Sequence, residues 1–256
     1  MGEFSKIERD GHLLVITLNR PEVLNSLHPP ANRELAQVID DFAADPDLWV
    51  AILTGTGRGF CAGNDLKYQA RGGDMRGQPE TGFAGLTNRF DLLKPVVAAV
   101  NGVAMGGGFE IALACDLIVA SEDATFALPE PRVGLAALAG GIHRLPRQIG
   151  LKNAMGMLLT GRRVSAAEGQ QLGFVNEVAP KGEALAAAKR WATQILECAP
   201  LSVRASKEAA YRGLEGGLRE AMGGTYDEMR RMLKSEDFVE GPKAFAEKRP
   251  PQWKGR

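Results

Sequence analysis

Residues 95–116 read PVVAAVNGVAMGGGFEIALACD, and an apolar run, three consecutive glycines and a glutamate follow one another in this stretch. The apolar, β-branched run from Pro95 to Val100 predicts a buried strand, and Asn101-Gly102 ends it. Three glycines follow at 106–108, after which small residues and a leucine favour helix through Cys115. The triple glycine is therefore expected at a junction between a loop and the start of a helix.

This junction has the chemistry of an anion site. At a helix start the first backbone N–H groups lack intrahelical partners, and the helix dipole is positive. Because glycine has no Cβ, a ligand oxygen can approach these amides closely. Glu110 falls in the first turn of the same helix, so an oxyanion site and a carboxylate would share one turn. The alternative is structural: the glycines allow close helix–strand packing, and Glu110 complements the dipole.

Nucleotide and nucleic-acid ligands fit the chain poorly. Ile111 stands where the third glycine of a G-x-G-x-x-G loop belongs, and no Gly-Lys-Ser/Thr follows as in a P-loop. Lys+Arg and Asp+Glu are both 31, so the formal net charge is zero, which disfavours a nucleic-acid partner. The pairs Arg144/Arg147 and Arg162/Arg163 are expected to be solvated or to bind a small anion.

The composition is that of an ordinary globular protein: 256 residues, 45% hydrophobic and 24% charged. The three cysteines, Cys61, Cys115 and Cys198, are far apart and odd in number, which predicts reduced thiols in a cytoplasmic protein rather than disulfides or a metal cluster. The start MGEFSK has no apolar signal core. The apolar region 95–120 is interrupted by charges and glycines, so no membrane span is expected.

Strand–turn–helix units recur along the chain. Apolar runs predict strands at residues 13–18, 49–54, 117–120, 124–128 and 175–178. A helix through Phe90–Leu93 is expected to lead into the central strand. From Gly182 onward the pattern is helical, with glycine and proline breaks. We therefore expect a core over residues 1–195 and a C-terminal helical region over residues 196–256.

An ordered set of motifs covers nearly the whole chain. In sequence order they are NRP at 19–21, NSL at 25–27, GFCAGNDL at 59–66, NGVAMGGGFE at 101–110, ACD at 114–116, FALPE at 126–130, GL at 134–135 and FAEKRPPQWKGR at 245–256. Together they resemble the crotonase superfamily, the enoyl-CoA hydratases and isomerases of fatty acid metabolism. No single motif is specific, but the ordered set is.

The resemblance implies an α/β fold, a spiral of ββα units whose C-terminal helical region packs into a homotrimer or a hexamer. It also implies that the backbone amides of Asn64 and Gly107 form an oxyanion hole for an acyl-CoA thioester. Coenzyme A would be part of the substrate, with no separate cofactor and no metal. The substrate-binding residues implied are Asn25, Ser26, Leu27, Ala62, Asp65, Leu66 and Lys67.

Two glutamates match the hydratase pattern. Adding water to a C=C bond needs a base for the water and an acid for the other carbon. By resemblance, Glu110 activates the water and Glu130 delivers the proton to the α-carbon. The residue that follows, Pro131, favours an extended backbone at Glu130. The alternative for Glu130 is a loop carboxylate that lies between two prolines by chance.

The function implied is the reversible hydration of a 2-enoyl-CoA. A double-bond isomerase on the same scaffold is the alternative, since it moves one proton and could use one glutamate. A non-catalytic or RNA-binding homologue is a third possibility, which the balanced charge and the two carboxylates disfavour.

Lys67 is either a coenzyme A contact or a surface lysine, and the side chain of Asn64 either narrows or polarises the acyl pocket. Cys61 has no basic neighbour in sequence to activate it as a nucleophile.

Overall fold

The computed structural model describes residues 2–256 and confirms the α/β fold class. The strands are β1 (Ser5–Asp10), β2 (Leu13–Leu18), β3 (Val50–Gly55), β4 (Gly59–Cys61), β5 (Val96–Val100), β6 (Val103–Met105), β7 (Leu117–Ser121), β8 (Thr125–Ala127), β9 (Val164–Ser165) and β10 (Glu177–Ala179). The α-helices are α1 (Pro29–Ala44), α2 (Leu66–Ala70), α3 (Gly107–Ala114), α4 (Gly141–Ile149), α5 (Leu151–Leu158), α6 (Ala166–Leu172), α7 (Ala184–Leu196), α8 (Pro200–Gly213), α9 (Leu218–Gly223), α10 (Asp227–Met232) and α11 (Glu236–Glu247). Short 3-10 helices lie at Pro21–Val23, Phe83–Gly85 and Glu130–Val133.

The larger sheet has six strands in the order β1-β2-β3-β5-β7-β10. Only the β1–β2 pair is antiparallel, and the other neighbours are parallel. All five residues of β5 are buried, as are the first five of β3. Parallel strands with both faces covered need continuous apolar sequence, which is why the runs in these strands were recognisable.

The smaller sheet has four strands in the order β4-β6-β8-β9. Its first three are parallel, so their carboxyl ends lie at one edge. Consecutive strands alternate between the sheets: β3, β5 and β7 belong to the larger one, and β4, β6 and β8 to the smaller one. The helices α2 and α3 follow the first two of these strand pairs, and α4 comes after the third. This is the spiral of ββα units.

Two apolar clusters lie on the two faces of the larger sheet. Alternate residues of its strands point to opposite faces. One face packs against the smaller sheet and α3, with Phe60, Phe109 and Phe126 fully buried. The other face packs against the alanine-rich side of α7, which buries Ala187 and Ala188. The start of α3 is thus held between packed layers.

The C-terminal helices follow α7, whose last turn contains the predicted boundary at residue 195. Lys207 of α8 ties this region to the sheet, since its Nζ lies 2.7 Å from the Asp116 carboxylate. Many apolar side chains here are exposed in the single chain. They are Tyr211, Leu214, Leu218, Met222, Met229, Leu233, Phe238, Val239 and Phe245. The division into two regions and the oligomeric role of the second stay predictions.

One expected element is absent from the part of the chain described. Residues 90–91 form a turn and residues 92–93 are irregular, in place of the predicted helix. The 3-10 helix at Phe83–Gly85 precedes them, and Asn32 of α1 accepts the amide of Ala84 at 2.7 Å. Contact with α1 therefore holds the chain just before residues 90–93.

Candidate active site

The start of α3 is built so that only glycine fits. Gly106 has φ +54° and Gly108 lies so close to the Cys61 carbonyl that a Cβ would overlap it. Gly107 is the first helical residue, and its amide donates to no oxygen within residues 2–256. The predicted junction is thereby confirmed, with an N–H left free at the positive end of a helix.

A second free amide comes from the loop after β4. Gly63 has φ +87°, and a Cβ there would lie 2.9 Å from the nitrogen of Gly107, so the two chain segments are in contact. Leu27 holds this loop by donating to the Gly63 carbonyl and accepting from the Asp65 amide, at 2.8 and 2.9 Å. The Asn64 amide between them makes no internal hydrogen bond in the described chain. Asn64 and Gly107 therefore offer two neighbouring unpaired donors.

The NSL motif at 25–27 lies behind this loop. Asn25 is fully buried, and its side chain accepts from the Arg20 amide and donates to the carbonyls of Thr56 and Gly59. Ser26 is buried as well, and its carbonyl accepts from the Arg20 guanidinium. Leu27 fixes the loop as described. In this structure the three residues support the loop that carries the Asn64 amide, and direct contact with substrate stays a prediction.

The remaining motif residues belong to the loop and α2. The Ala62 amide donates to the Leu24 carbonyl at 2.9 Å. Asp65 caps α2 by accepting the Tyr68 amide, and it forms an ion pair with Arg20 at 2.9 Å. Leu66 and Lys67 are exposed on the first turn of α2. The exposed pair can reach a bound molecule, whereas the side chain of Asp65 is occupied by capping.

Glu110 lies one turn into α3 and is only 3% exposed. Its Oε1 accepts the backbone amide of Gly141, at the start of α4, at 2.8 Å. Burial raises the pKa of Glu110 to about 7. The amides of Gly141 and Ala139 and the charge of Arg144 oppose this rise, and the Glu130 carboxylate adds to it. A carboxyl group with such a pKa can exchange a proton near neutral pH.

Glu130 reaches the same turn from the end of β8. A Cβ at Gly106 would lie 2.9 Å from its Oε1, so the carboxylate lies against the start of α3. Its Oε2 is buried and has no partner within residues 2–256, and burial raises the pKa of the group. Glu130 opens a 3-10 helix, which contradicts the expected extended backbone. Proline is tolerated in a first helical turn, and the Leu135 amide closes this one onto the Glu130 carbonyl.

Two cavities flank these groups. One of about 300 Å³ is lined only by apolar side chains, of which Leu128 and Ala137 also contact Gly141 beside Glu110. Its other lining residues are Pro131, Ala136, Ile142, Met155, Leu158 and Leu159. The second, of about 470 Å³, lies between α2 and the turn after Glu130 and is lined by Leu66, Gln69, Ala70, Val133 and Leu135. Both cavities are therefore lined mainly by apolar side chains.

Sequence reasoning missed three contributors to the site. Gly141 supplies the hydrogen bond to Glu110, Phe83 packs against Gly107, and Arg144 is half-buried rather than solvated. The pair Gly140-Gly141 was a usable signal of a special turn, because Gly140 has φ +106°. Nothing in the local sequence distinguishes Arg144 from the exposed Arg147, since burial comes from tertiary packing.

Other chemistries find little support among residues 2–256. Burial raises the pKa of the Cys61 thiol to about 12, which opposes its use as a nucleophile. No three His, Cys, Asp or Glu side chains in the described chain cluster as metal ligands. None of its helices has the length and apolar character that a bilayer crossing requires.

Comparisons with known proteins identify the family of this chain. The family model described as enoyl-CoA hydratase/isomerase matches residues 8–256. A carnitinyl-CoA dehydratase of Proteus mirabilis is 46% identical, with 96% of each chain covered. That of Salmonella typhi is 45% identical over the full length of both. The crystal structure of enoyl-CoA hydratase EchA1 from Mycobacterium marinum superimposes with a TM-score of 0.93 at 42% identity, covering 100% of both chains. This chain therefore belongs to the enoyl-CoA hydratase/isomerase family, the crotonase-fold enzymes that act on coenzyme A thioesters.

Proposed function

We propose that this enzyme adds water reversibly across the 2,3 double bond of a 2-enoyl-CoA. One observation carries the proposal: the buried carboxylate of Glu110, the partly buried carboxylate of Glu130 and two free amides meet at a single turn. Gly106 lies against Glu130, Gly107 lies against Gly63, and Glu110 is three residues further along α3. This proximity of two carboxylates and two N–H donors is what supports a water addition.

The amides of Asn64 and Gly107 bind the thioester oxygen, on which negative charge grows when C3 is attacked. A water molecule beside Glu110 loses a proton to that carboxylate and bonds to C3. The C=C electrons move toward the thioester, and Glu130 delivers its proton to C2. Dehydration is the same sequence in reverse, with the roles of acid and base exchanged.

Glu110 and Glu130 can act as base and acid because both carboxyl groups are shielded from water at the same site. Burial raises the pKa of both, and Glu130 raises that of Glu110 further. Two neighbouring carboxylates in a desolvated site favour holding one proton between them. With the shared proton on Glu130 and Glu110 ionised, the pair is set for hydration; with the proton on Glu110 and Glu130 ionised, it is set for dehydration.

The first experiment is a substrate panel. Straight-chain 2-enoyl-CoA esters are followed by the loss of the absorbance of the conjugated thioester. A 3-enoyl-CoA in parallel detects isomerisation, because the conjugated product would gain that absorbance. Hydration of at least one 2-enoyl-CoA supports the proposal, and isomerisation without hydration replaces it with the alternative.

The paired variants Glu110→Gln and Glu130→Gln test the mechanism. Each keeps its shape and loses its proton transfer, so each is expected to lower kcat by roughly 10²–10⁴-fold. The fold, followed by circular dichroism, and coenzyme A binding are expected to stay intact. Wild-type-like turnover in either variant would refute the two-glutamate mechanism. A loss of kcat in only one of the two variants would favour the isomerase.

Carnitinyl-CoA belongs in the same panel as a second candidate substrate. It is favoured by the relatives of 45–46% identity over nearly the whole chain, which are named carnitinyl-CoA dehydratases. Its dehydration would use the same groups in the reverse direction. The ratio of kcat/KM for carnitinyl-CoA to that for an uncharged 3-hydroxyacyl-CoA decides between the two substrates.

The proposed reaction also bears on the cofactor, the cellular location and the binding of coenzyme A. Coenzyme A enters as part of the substrate, and the proposed reaction moves only water and a proton, so it calls for no further cofactor. All three cysteines are unpaired, which suits the reducing cytoplasm. Lys67, exposed beside the larger cavity, is proposed to contact the coenzyme A portion.

A further inference from the structure

Arg144 of α4 is a half-buried arginine that forms no ion pair within residues 2–256. Arginine is seldom buried without a partner, so its position calls for a reason. Its Nη2 donates to the Thr87 carbonyl at 2.7 Å, and its guanidinium carbon lies 5.8 Å from the centre of the Phe90 ring. Both contacts belong to the segment that leads into β5.

The backbone of Arg144 is joined to the turn that holds Glu110. Its amide donates to the Gly140 carbonyl at 2.8 Å, and its guanidinium lies directly against Gly140. The next residue, Gly141, donates its amide to Glu110. A shift of Arg144 would therefore move the hydrogen-bond donor that fixes the carboxylate.

Its guanidinium is joined to the segment that backs the Gly107 amide. The Thr87 hydroxyl accepts the Phe83 amide at 2.9 Å. The Phe83 ring lies against Gly107, where a Cβ would come within 2.9 Å of its Cζ. Asn32 holds Ala84 independently of Arg144, so the segment keeps one anchor if the arginine is lost.

We propose that Arg144 is a positioning residue of this active site, because it joins the turn that holds Glu110 to the segment that backs the Gly107 amide. The inference rests on the proposed function for its kinetic consequences. In structural terms, the Arg144 side chain fixes the position of the Glu110 carboxylate relative to the Gly107 amide. Misplacement of reacting groups by about 1 Å can cost about 100-fold in rate.

The charge of Arg144 gives a separate readout. The charged groups that face Glu110 are Glu130, which raises its pKa, and Arg144, which lowers it. Arg144 itself faces Tyr211 from α8 and Cys115 at the end of α3. Removing the positive charge is therefore expected to move the titration of Glu110 to higher pH.

The test compares Arg144→Met and Arg144→Lys with the matched control Arg147→Met. Arg147 lies on the same helix, is exposed, and donates only to the His143 carbonyl of its own turn. We expect Arg144→Met to lower kcat about 10- to 100-fold with little change in KM. The acidic limb of its pH profile should move to higher pH. Arg144→Lys should restore the pH profile but not kcat, because an ammonium keeps the charge without the planar fork.

A second measurement needs no substrate. The Glu110 carboxyl is titrated by carbon NMR in each variant and assigned by its loss in Glu110→Gln. An upward shift in Arg144→Met, with none in Arg147→Met, supports the proposal. Identical titrations in the two variants overturn it, whether or not the enzyme hydrates any thioester. If Arg144→Met fails to fold, Arg144→Lys decides by its kcat, and a wild-type kcat there overturns the proposal.

Discussion

At the scale of single residues, Glu110 couples the chemistry to the stability of the fold. Its carboxyl is buried beside another acid, and its pKa is about 7 against an ordinary value of 4.5. The folded state therefore binds this proton more tightly than the unfolded chain does. Its contribution to stability is complete below pH 4.5 and is lost as pH rises through 7.

This linkage gives a prediction for Glu110→Gln, which is neutral at every pH. The free energy of unfolding of the wild type, relative to the variant, should fall by about 3 kcal/mol between about pH 4.5 and 8. Urea unfolding at a series of pH values measures the difference. A difference that does not change with pH would show that Glu110 is solvated in the folded protein.

The sequence identified the chemistry of single residues better than their surroundings. The motifs singled out Glu110, Glu130 and Gly107, all of which meet at one turn. The motifs could not show that the side chain of Asn25 donates hydrogen bonds to carbonyls of the surrounding loops. Nor could they separate Arg144 from Arg147, since both are arginines of one helix and only the tertiary structure buries the first.

At the scale of elements, the two amides belong to different structures and should respond differently to substitution. In the proposed mechanism Asn64 contributes a loop N–H, which Asn64→Ala keeps, so a mild effect on kcat is expected. Gly107→Pro removes the donor at the helix start and restricts φ. Loss of one oxyanion donor costs about 2.7–4 kcal/mol of barrier, or roughly 10²–10³ in kcat.

Steady-state kinetics of the two variants, with circular dichroism as the control of folding, measure the contrast. A severe loss in a folded Asn64→Ala protein would contradict the backbone role. It would instead assign the exposed Asn64 side chain to catalysis or to substrate choice.

Element prediction succeeded where apolar runs were long. Strands β2, β3 and β5 are five or six residues long and were recognised. Strands β4, β6 and β9 have only two or three residues, too few for a periodic pattern. The helix expected at 90–93 was wrong, and the hydrogen bonds to α1 and α4 are made by Ala84 and Thr87 in the residues just before it.

At the scale of the whole molecule, the C-terminal region leaves much apolar surface uncovered. Helices α9 and α10 have six residues each, and helices this short depend on packing for stability. Leu214, Met222 and Phe245 are each more than 80% exposed in the single chain. Apolar surfaces of this kind mark interfaces between proteins.

We therefore predict that the intact protein sediments as a trimer or a hexamer. Truncation after residue 195 should give aggregated or dissociated, inactive protein, because the apolar faces lose their cover. Analytical ultracentrifugation and light scattering measure both outcomes. A stable and active monomer, full-length or truncated, would refute the role assigned to residues 196–256.

The alternation of strands between the two sheets has a consequence for the dimensions of the site. Asn64, Gly107 and Glu130 each come two or three residues after β4, β6 and β8, which are neighbouring parallel strands. Such strands are spaced about 4.8 Å apart by their hydrogen bonds. The spacing of the strands therefore sets the distances within the site, because three successive ββα units each carry one residue of the candidate site at nearly the same position after a strand. Length changes in the outer loops leave this spacing unchanged. The loss of one residue between a strand of the smaller sheet and its site residue would displace that residue from the other two.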